Sequence, residues 1–347
     1  MKILDTFKHG FAQAMRTKRM ILFAWFINVL FAIVIALPFL NQLDGYLRDT
    51  VMDESLLTHF DSGWLQSYRA DMEKSELTRV LDPTILGYAP FVSDLDMLRN
   101  GTFIRTLGNF LYDFFVRWEL NTGSTSLIFF LSLLYLLASS FLAGGFIGMY
   151  ARDYRSTFPE FLHEGARYFG KFFRLALLAL LVYYLFFTLL VDWVNNGIAQ
   201  ATQNDASETV PYLYYLIRTI AVLFTVSLLL MIFDYARIRM VVDERTSALG
   251  AVFAGARFAL VNFPRTYGLY LALTLVGVVI IVIYAVLQKS IPQQSYWPLV
   301  FLFVVQQATM LARFWLKGAY YAGQTALYRG IAKEDHLRSV SAAPSTT

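Results

Sequence analysis

The stretch Gly165-Ala166-Arg167-Tyr168-Phe169-Gly170-Lys171 has the spacing G-x-x-x-x-G-K, which in nucleotide-binding proteins cradles phosphate. Such a loop works because small residues let backbone N–H groups close on phosphate oxygens, while a following Ser or Thr hydroxyl ligates magnesium. Here Phe172 stands where that hydroxyl is needed, and aromatic residues fill the loop. The segment also runs into an apolar stretch instead of following a buried strand. The spacing therefore predicts no nucleotide site. Histidine chemistry fares no better. His9, His59, His163 and His336 form no H-x-x-x-H pair, and none lies in an apolar stretch where it could serve a serine as base. Cysteine is absent, which removes disulfides and thiolate metal sites. The expectation is no metal, no cofactor and no catalytic residue.

Polar residues inside the apolar stretches are the next candidates, because such residues are costly in lipid and tend to be functional. No Asp, Glu, Lys or His falls near the middle of any stretch, which argues against a proton relay or an intramembrane protease. What remains is Asn28, Ser139, Ser140, Thr225, Ser227, Gln306 and Gln307. Asn28 and Gln306 come to similar depth on helices of opposite direction. They predict either an interhelical hydrogen bond of about 0.6–2 kcal/mol or a polar substrate pathway. Arg218 is expected to snorkel outward or pair with Asp192, and Asp234 to face Arg313 or Lys317. Gly144-x-x-x-Gly148 permits close helix contact, within the chain or between copies.

The elements that would position these residues are membrane spans. The chain is 57% hydrophobic and only 16% charged, with a mean hydropathy of +0.50; soluble domains sit near about 45–50% apolar and about 25% charged. Six stretches are long enough for a hydrocarbon core of about 30 Å, which takes about 20 helical residues. They are Met20–Leu40, Ser126–Tyr150, Phe172–Trp193, Tyr212–Tyr235, Thr266–Gln288 and Trp297–Tyr320. The first exceeds the length of a signal-peptide core and no A-x-A-like cleavage site follows it, so it reads as an anchor. The fold class is all-α, a polytopic bundle of six spans. The net charge of +4 is spread over membrane boundaries instead of one patch, which gives no nucleic-acid signal.

Lysine and arginine set the orientation. One side carries Lys2, Lys8, Arg16, Lys18 and Arg19, then Arg152, Arg155, Arg167 and Lys171, then Arg237, Arg239, Arg245, Arg257 and Arg265, then Arg329, Lys333 and Arg338. The other side has none in residues 194–209 and only Lys289 in 289–296. Both termini are therefore expected in the cytoplasm. Residues 41–125, with thirteen acidic and seven basic side chains, form an expected extracytoplasmic helical cap. Within it Phe103, Leu107, Phe110, Leu111, Phe114 and Trp118 share one helical face, suited to the membrane surface or to the span ends, and Asn100-Gly101-Thr102 is a weak glycosylation sequon. Residues 1–40 read as a cytoplasmic amphipathic helix and first span. Residues 126–322 read as a five-span bundle with interfacial helices, and 323–347 as a partly disordered tail.

Two motifs recur in order. Tyr150-Ala151-Arg152 and Tyr235-Ala236-Arg237 each precede a second pair, Gly165-Ala166-Arg167-Tyr168 and Gly255-Ala256-Arg257-Phe258. The implied unit is an amphipathic helix, an elbow and a transmembrane hairpin, used three times if the looser N-terminal echo is counted. Such helices lie at headgroup level. Arg152, Arg167, Lys171, Arg174, Arg237, Arg257 and Arg265 are accordingly the predicted lipid-headgroup contacts.

Glu244, Gly250 and Pro264 have nearly the spacing of the coupling loop of bacterial ABC import permeases, which this loop resembles, although Arg245-Thr246 replace its two alanines. The stretch from Phe233 to Tyr270, with Asp243-Glu244 after a span, an alanine-rich helix and a basic elbow, resembles the multi-pass membrane domains attached to some bacterial glycerophosphodiester phosphodiesterases. That resemblance implies a helical membrane domain and carries over no catalytic residue. The sequence reading is a non-enzymatic protein of a bacterial cytoplasmic membrane, acting as scaffold, assembly factor or lipid-contacting subunit. Its expected partners are membrane lipids together with another protein or further copies of itself. The alternative is a transport subunit, an ABC-type permease or a lipid or small-solute transporter, with Glu244 and Gly250 in its coupling loop.

Overall fold

The computed structural model describes residues 3–48, 124–152, 157–203, 209–291 and 296–341. Among these residues there is no strand. The helices are α1 Ile3–Arg16, α2 Lys18–Arg48, α3 Ser124–Arg152, α4 Phe158–Leu185, α5 Asp192–Ala201, α6 Thr209–Val242, α7 Ala248–Val261, α8 Phe263–Ser290 and α9 Tyr296–Ser341. A π-helical segment, Phe186–Val191, joins α4 to α5, so Phe158–Ala201 runs as one 44-residue element. Five helices are long and apolar enough to cross a membrane, and a sixth span results when α1 and the first half of α2, bent by 73°, count as one. The chain is an all-α bundle of a multi-pass membrane protein. The predicted cap beyond Arg48, with its sequon and its 103–118 apolar face, lies outside the described residues.

Burial is concentrated at the end of the bundle that carries α1, α7 and the start of α4. Ile147, Phe161, Tyr168, Tyr235, Ile238, Met240 and Leu327 form its core. Along the spans, by contrast, Leu181, Ile217, Leu275 and Phe303 point outward and are exposed, as expected where lipid is the solvent.

Three helix pairs cross at glycine. A Cβ on Gly10 of α1 would lie 2.8 Å from the Ala319 carbonyl oxygen of α9. On Gly145 of α3 it would lie 2.6 Å from the Phe161 ring of α4, and on Gly255 of α7 it would lie 2.7 Å from the Ala236 amide nitrogen of α6. Only residues without a Cβ let backbones approach this closely, and in lipid that approach replaces the hydrophobic effect as the source of packing energy. Gly144 and Gly148 belong to the same α3–α4 seam, against Gly165 and Glu164. The glycine stripe is thus used inside the chain.

Two elbows are built alike. At the α1–α2 bend, Thr17 is fully buried; its hydroxyl donates to the Ala14 carbonyl (3.1 Å) and shares a 2.8 Å hydrogen bond with the Tyr150 hydroxyl of α3. At the α7–α8 bend, Thr266 is fully buried and donates to the Ala259 carbonyl (2.8 Å), with Pro264 in the first turn of α8. The segment Gly165–Arg174, which the sequence repeat places at a membrane elbow before the next span, does not bend. It lies inside α4, which starts at Phe158 with Pro159 in its first turn, the Glu160 carboxylate accepting from the Thr157 N–H at 3.1 Å. No proline or capping residue interrupts the helix after that, so nothing ends it at Gly165 or Gly170. Residues 323–341, the first part of the segment read as a partly disordered tail, are helical. α9 continues to Ser341, and Gln324, Leu327, Tyr328 and Ile331 are buried, because α1 and α8 cover that part of the helix.

Candidate functional site

The helical course of Gly165–Lys171 settles the phosphate-loop spacing. Its backbone N–H groups lie within the hydrogen-bond ladder of α4 and cannot converge on an anion. Its cations instead line an exposed flank. The Arg167 guanidinium and the Lys171 amine lie 5.5 and 5.4 Å from the centre of the buried Tyr168 ring. Arg174 is exposed and donates through Nε to the Gly170 carbonyl at 3.1 Å.

On α7 the exposed face mixes apolar and basic groups. Leu249, Phe253 and Leu260 are 59%, 75% and 55% exposed, and Arg257 stands between them at helical spacing. Ser247 caps this helix by accepting from the Gly250 N–H at 3.2 Å. A stripe of large apolar side chains with a guanidinium in its midst is suited to the headgroup–acyl boundary. At the start of α8 the Arg265 guanidinium meets Glu334 of α9 at 2.9 Å.

Two arginines expected among the headgroup contacts turn inward. Arg152 meets Glu164 at 3.1 Å, and the Glu164 side chain is only 6% exposed; Arg152 also donates to the Tyr168 hydroxyl at 3.3 Å. Arg237 meets Asp234 at 2.8 Å, where the carboxylate is 4% exposed. A carboxylate withdrawn from water needs a cation close by, and these are the nearest ones. Asp234 meets Lys317 as well, at 3.7 Å, as the sequence suggested. Lys317 also lies 4.8 Å from the centre of the Tyr321 ring. Aromatic hydroxyls crowd this place. Tyr183 lies within electrostatic reach of Arg237 and Asp234, and among the described residues its buried hydroxyl has no hydrogen-bond partner.

The connection after α6 is held on three sides. Arg239 donates to Asp243 at 2.9 Å and to the Ala254 carbonyl at 2.8 Å, and the Tyr328 hydroxyl donates to Asp243 at 2.8 Å. Glu244 reaches Arg167 of α4 at 3.0 Å from a backbone with φ +50°, where a side chain is strained. The two residues singled out for a coupling loop are therefore both engaged within the chain, Glu244 in an ion pair and Gly250 in a helix cap.

At membrane depth, Asn28 is half-buried, Gln307 half-buried and Gln306 exposed. Among the described residues no hydrogen bond joins Asn28 to Gln306, whose side chain faces out of the bundle. Arg218 is buried, not snorkelling. A hollow of about 340 Å³ is lined by Met149, Arg152, Pro159, Glu160, His163 and Glu164 at the α3–α4 seam. No group of three His, Asp or Glu side chains among the described residues is arranged to hold a metal ion. The ion pairs Arg152–Glu164, Arg167–Glu244 and Arg265–Glu334 join neighbouring parts of the bundle, and Arg237–Asp234 lies within α6. No family model, no curated protein and no solved structure matches this chain.

Proposed function

We propose that this protein is a non-enzymatic, lipid-contacting scaffold of a bacterial inner membrane, built from three copies of one unit. In each unit an interfacial helix rests on the inner end of the last span of a neighbouring unit. The observation that carries the reading is the exposed face of α7, where Leu249, Phe253 and Leu260 flank Arg257. A soluble partner surface would leave that apolar area wet when unoccupied, whereas a bilayer boundary covers it permanently and pairs the guanidinium with phosphate. The concentration of lysine and arginine on the same side supports a cytoplasmic placement of these helices and of both termini.

The experiment is reconstitution of the full chain in nanodiscs with increasing phosphatidylglycerol in phosphatidylcholine. Melting temperature should rise with the anionic fraction. The rise should shrink when Arg257, Lys171 and Arg174 are all changed to glutamate. A melting temperature indifferent to anionic lipid in the unaltered protein would remove the basis of the reading.

A further inference from the structure

Asp234 is one carboxylate facing two cations. Its Oδ1 takes a hydrogen bond from Arg237 at 2.8 Å and its Oδ2 lies 3.7 Å from the Lys317 amine. The trio keeps one net positive charge in a place where the carboxylate is 4% exposed. The arginine uses Nη1 for this contact, and its side chain is 23% exposed. The lysine amine lies 3.7 Å from that carboxylate and 4.8 Å from the centre of the Tyr321 ring. The Tyr183 hydroxyl, within electrostatic reach of Arg237 and Asp234, is buried and among the described residues has no hydrogen-bond partner. An unpartnered buried hydroxyl and surplus positive charge inside a membrane bundle are both costly, and both are relieved by one kind of ligand, an anion with several acceptor oxygens.

We propose that Arg237, Lys317 and Tyr183 form a binding site for a phosphate group, one unit of charge balancing one. Guanidinium and ammonium suit phosphate in complementary ways, the first as a planar fork and the second as a point charge. The site opens toward lipid. The Lys317 side chain is 48% exposed, and Tyr135 of α3, within its electrostatic reach, is 47% exposed and edge-on to Phe31 of α2. An acyl chain lying along Leu134 and Tyr135, both exposed, would leave its phosphodiester beside the lysine. The site thereby deepens the lipid-contacting reading, because it binds one lipid in a fixed place and not a boundary layer.

The test is native mass spectrometry of the full chain in detergent, titrated with phosphatidylglycerol or phosphatidylcholine. One phosphatidylglycerol should be retained with an affinity at least about tenfold above phosphatidylcholine. Lys317→Gln, which leaves Asp234 its arginine, should abolish that preference. Asp234→Asn should keep or tighten the bound lipid, since it adds positive charge, whereas a purely structural ion pair predicts only loss of stability. If Asp234→Asn does not fold, Lys317→Gln alone decides. Millimolar inorganic phosphate separates the sources. Displacement of the lipid means phosphate alone suffices, and no displacement assigns the diester with its chains. An unchanged preference in folded Lys317→Gln, or weaker binding in folded Asp234→Asn, overturns the site. The triple glutamate variant at 171, 174 and 257 should retain the single bound lipid, so failure here and failure of the lipid-boundary reading are told apart.

Discussion

Gly255 of α7 sits so close to Ala236 of α6 that a Cβ at 255 would stand 2.7 Å from the Ala236 amide nitrogen. The obstacle is backbone, which cannot swing aside. Gly255→Val should therefore separate the two helices and cost about 1–3 kcal/mol or more. Gly170 lies inside α4 with nothing within 4 Å of its missing Cβ. There Gly170→Ala should stabilise by about 0.5–1 kcal/mol through helix propensity. Melting temperatures of the two variants in one detergent should move in opposite directions; movement in the same direction would contradict the packing described.

Removal of a cation from a buried carboxylate should cost more than removal of both charges. Arg152→Met strands the Glu164 carboxylate, whose side chain is 6% exposed, and should lose about 3–5 kcal/mol. Adding Glu164→Gln should restore most of this. Denaturant unfolding of the single and double variants measures the difference, and a double variant no better than Arg152→Met would argue against the pairing.

At the α1–α2 bend, Tyr150→Phe removes one partner of the Thr17 hydroxyl, which still donates to the Ala14 carbonyl. The expected loss is about 0.5–1.5 kcal/mol. Hydrogen exchange should show the amides of α1 opening more readily, while those of α8 remain unchanged.

Glu244 combines an exposed ion pair with a strained backbone at φ +50°. The pair is worth at most about 1 kcal/mol at these exposures. Relief of the left-handed conformation by glycine is worth about as much or more. Glu244→Gly should leave stability unchanged or slightly raised, and Glu244→Val should lower it. A marked fall in Glu244→Gly would mean that the contact with Arg167 is stronger than its exposure implies.

Spans and glycine seams were legible because composition and small-residue spacing survive without knowledge of partners. The 20-residue apolar runs lie within the helices now seen, and Gly144 and Gly148 lie in a seam. What was not legible is direction around a helix end. Arg152 and Arg174 are both basic residues near a span boundary, yet one turns to Glu164 and the other stays exposed. Choosing between them requires knowing where the buried carboxylate of a neighbouring helix lies. The Gly255-Ala256-Arg257 and Gly165-Ala166-Arg167 segments were alike in sequence, but only the first ends at an elbow, because Asn262 and Pro264 follow it. The inward course of α9 past Tyr320 was hidden for a similar reason. Small and polar residues there, such as Gly323, Gln324 and Thr325, do not mark a core until α1 covers them.

The clasp between α1 and α9 has a consequence for how the protein is made. Gly10 rests on Ala319 and Gly323, so an early helix depends on a surface that leaves the ribosome far later. At about 5–20 residues per second, the roughly 300 intervening residues take about 15 seconds or more to synthesise. Throughout that wait the apolar side of α1 has no protein to cover it. On the lipid-contacting reading proposed above, the bilayer surface would hold the helix in reserve, and its last move would be from lipid onto the finished bundle.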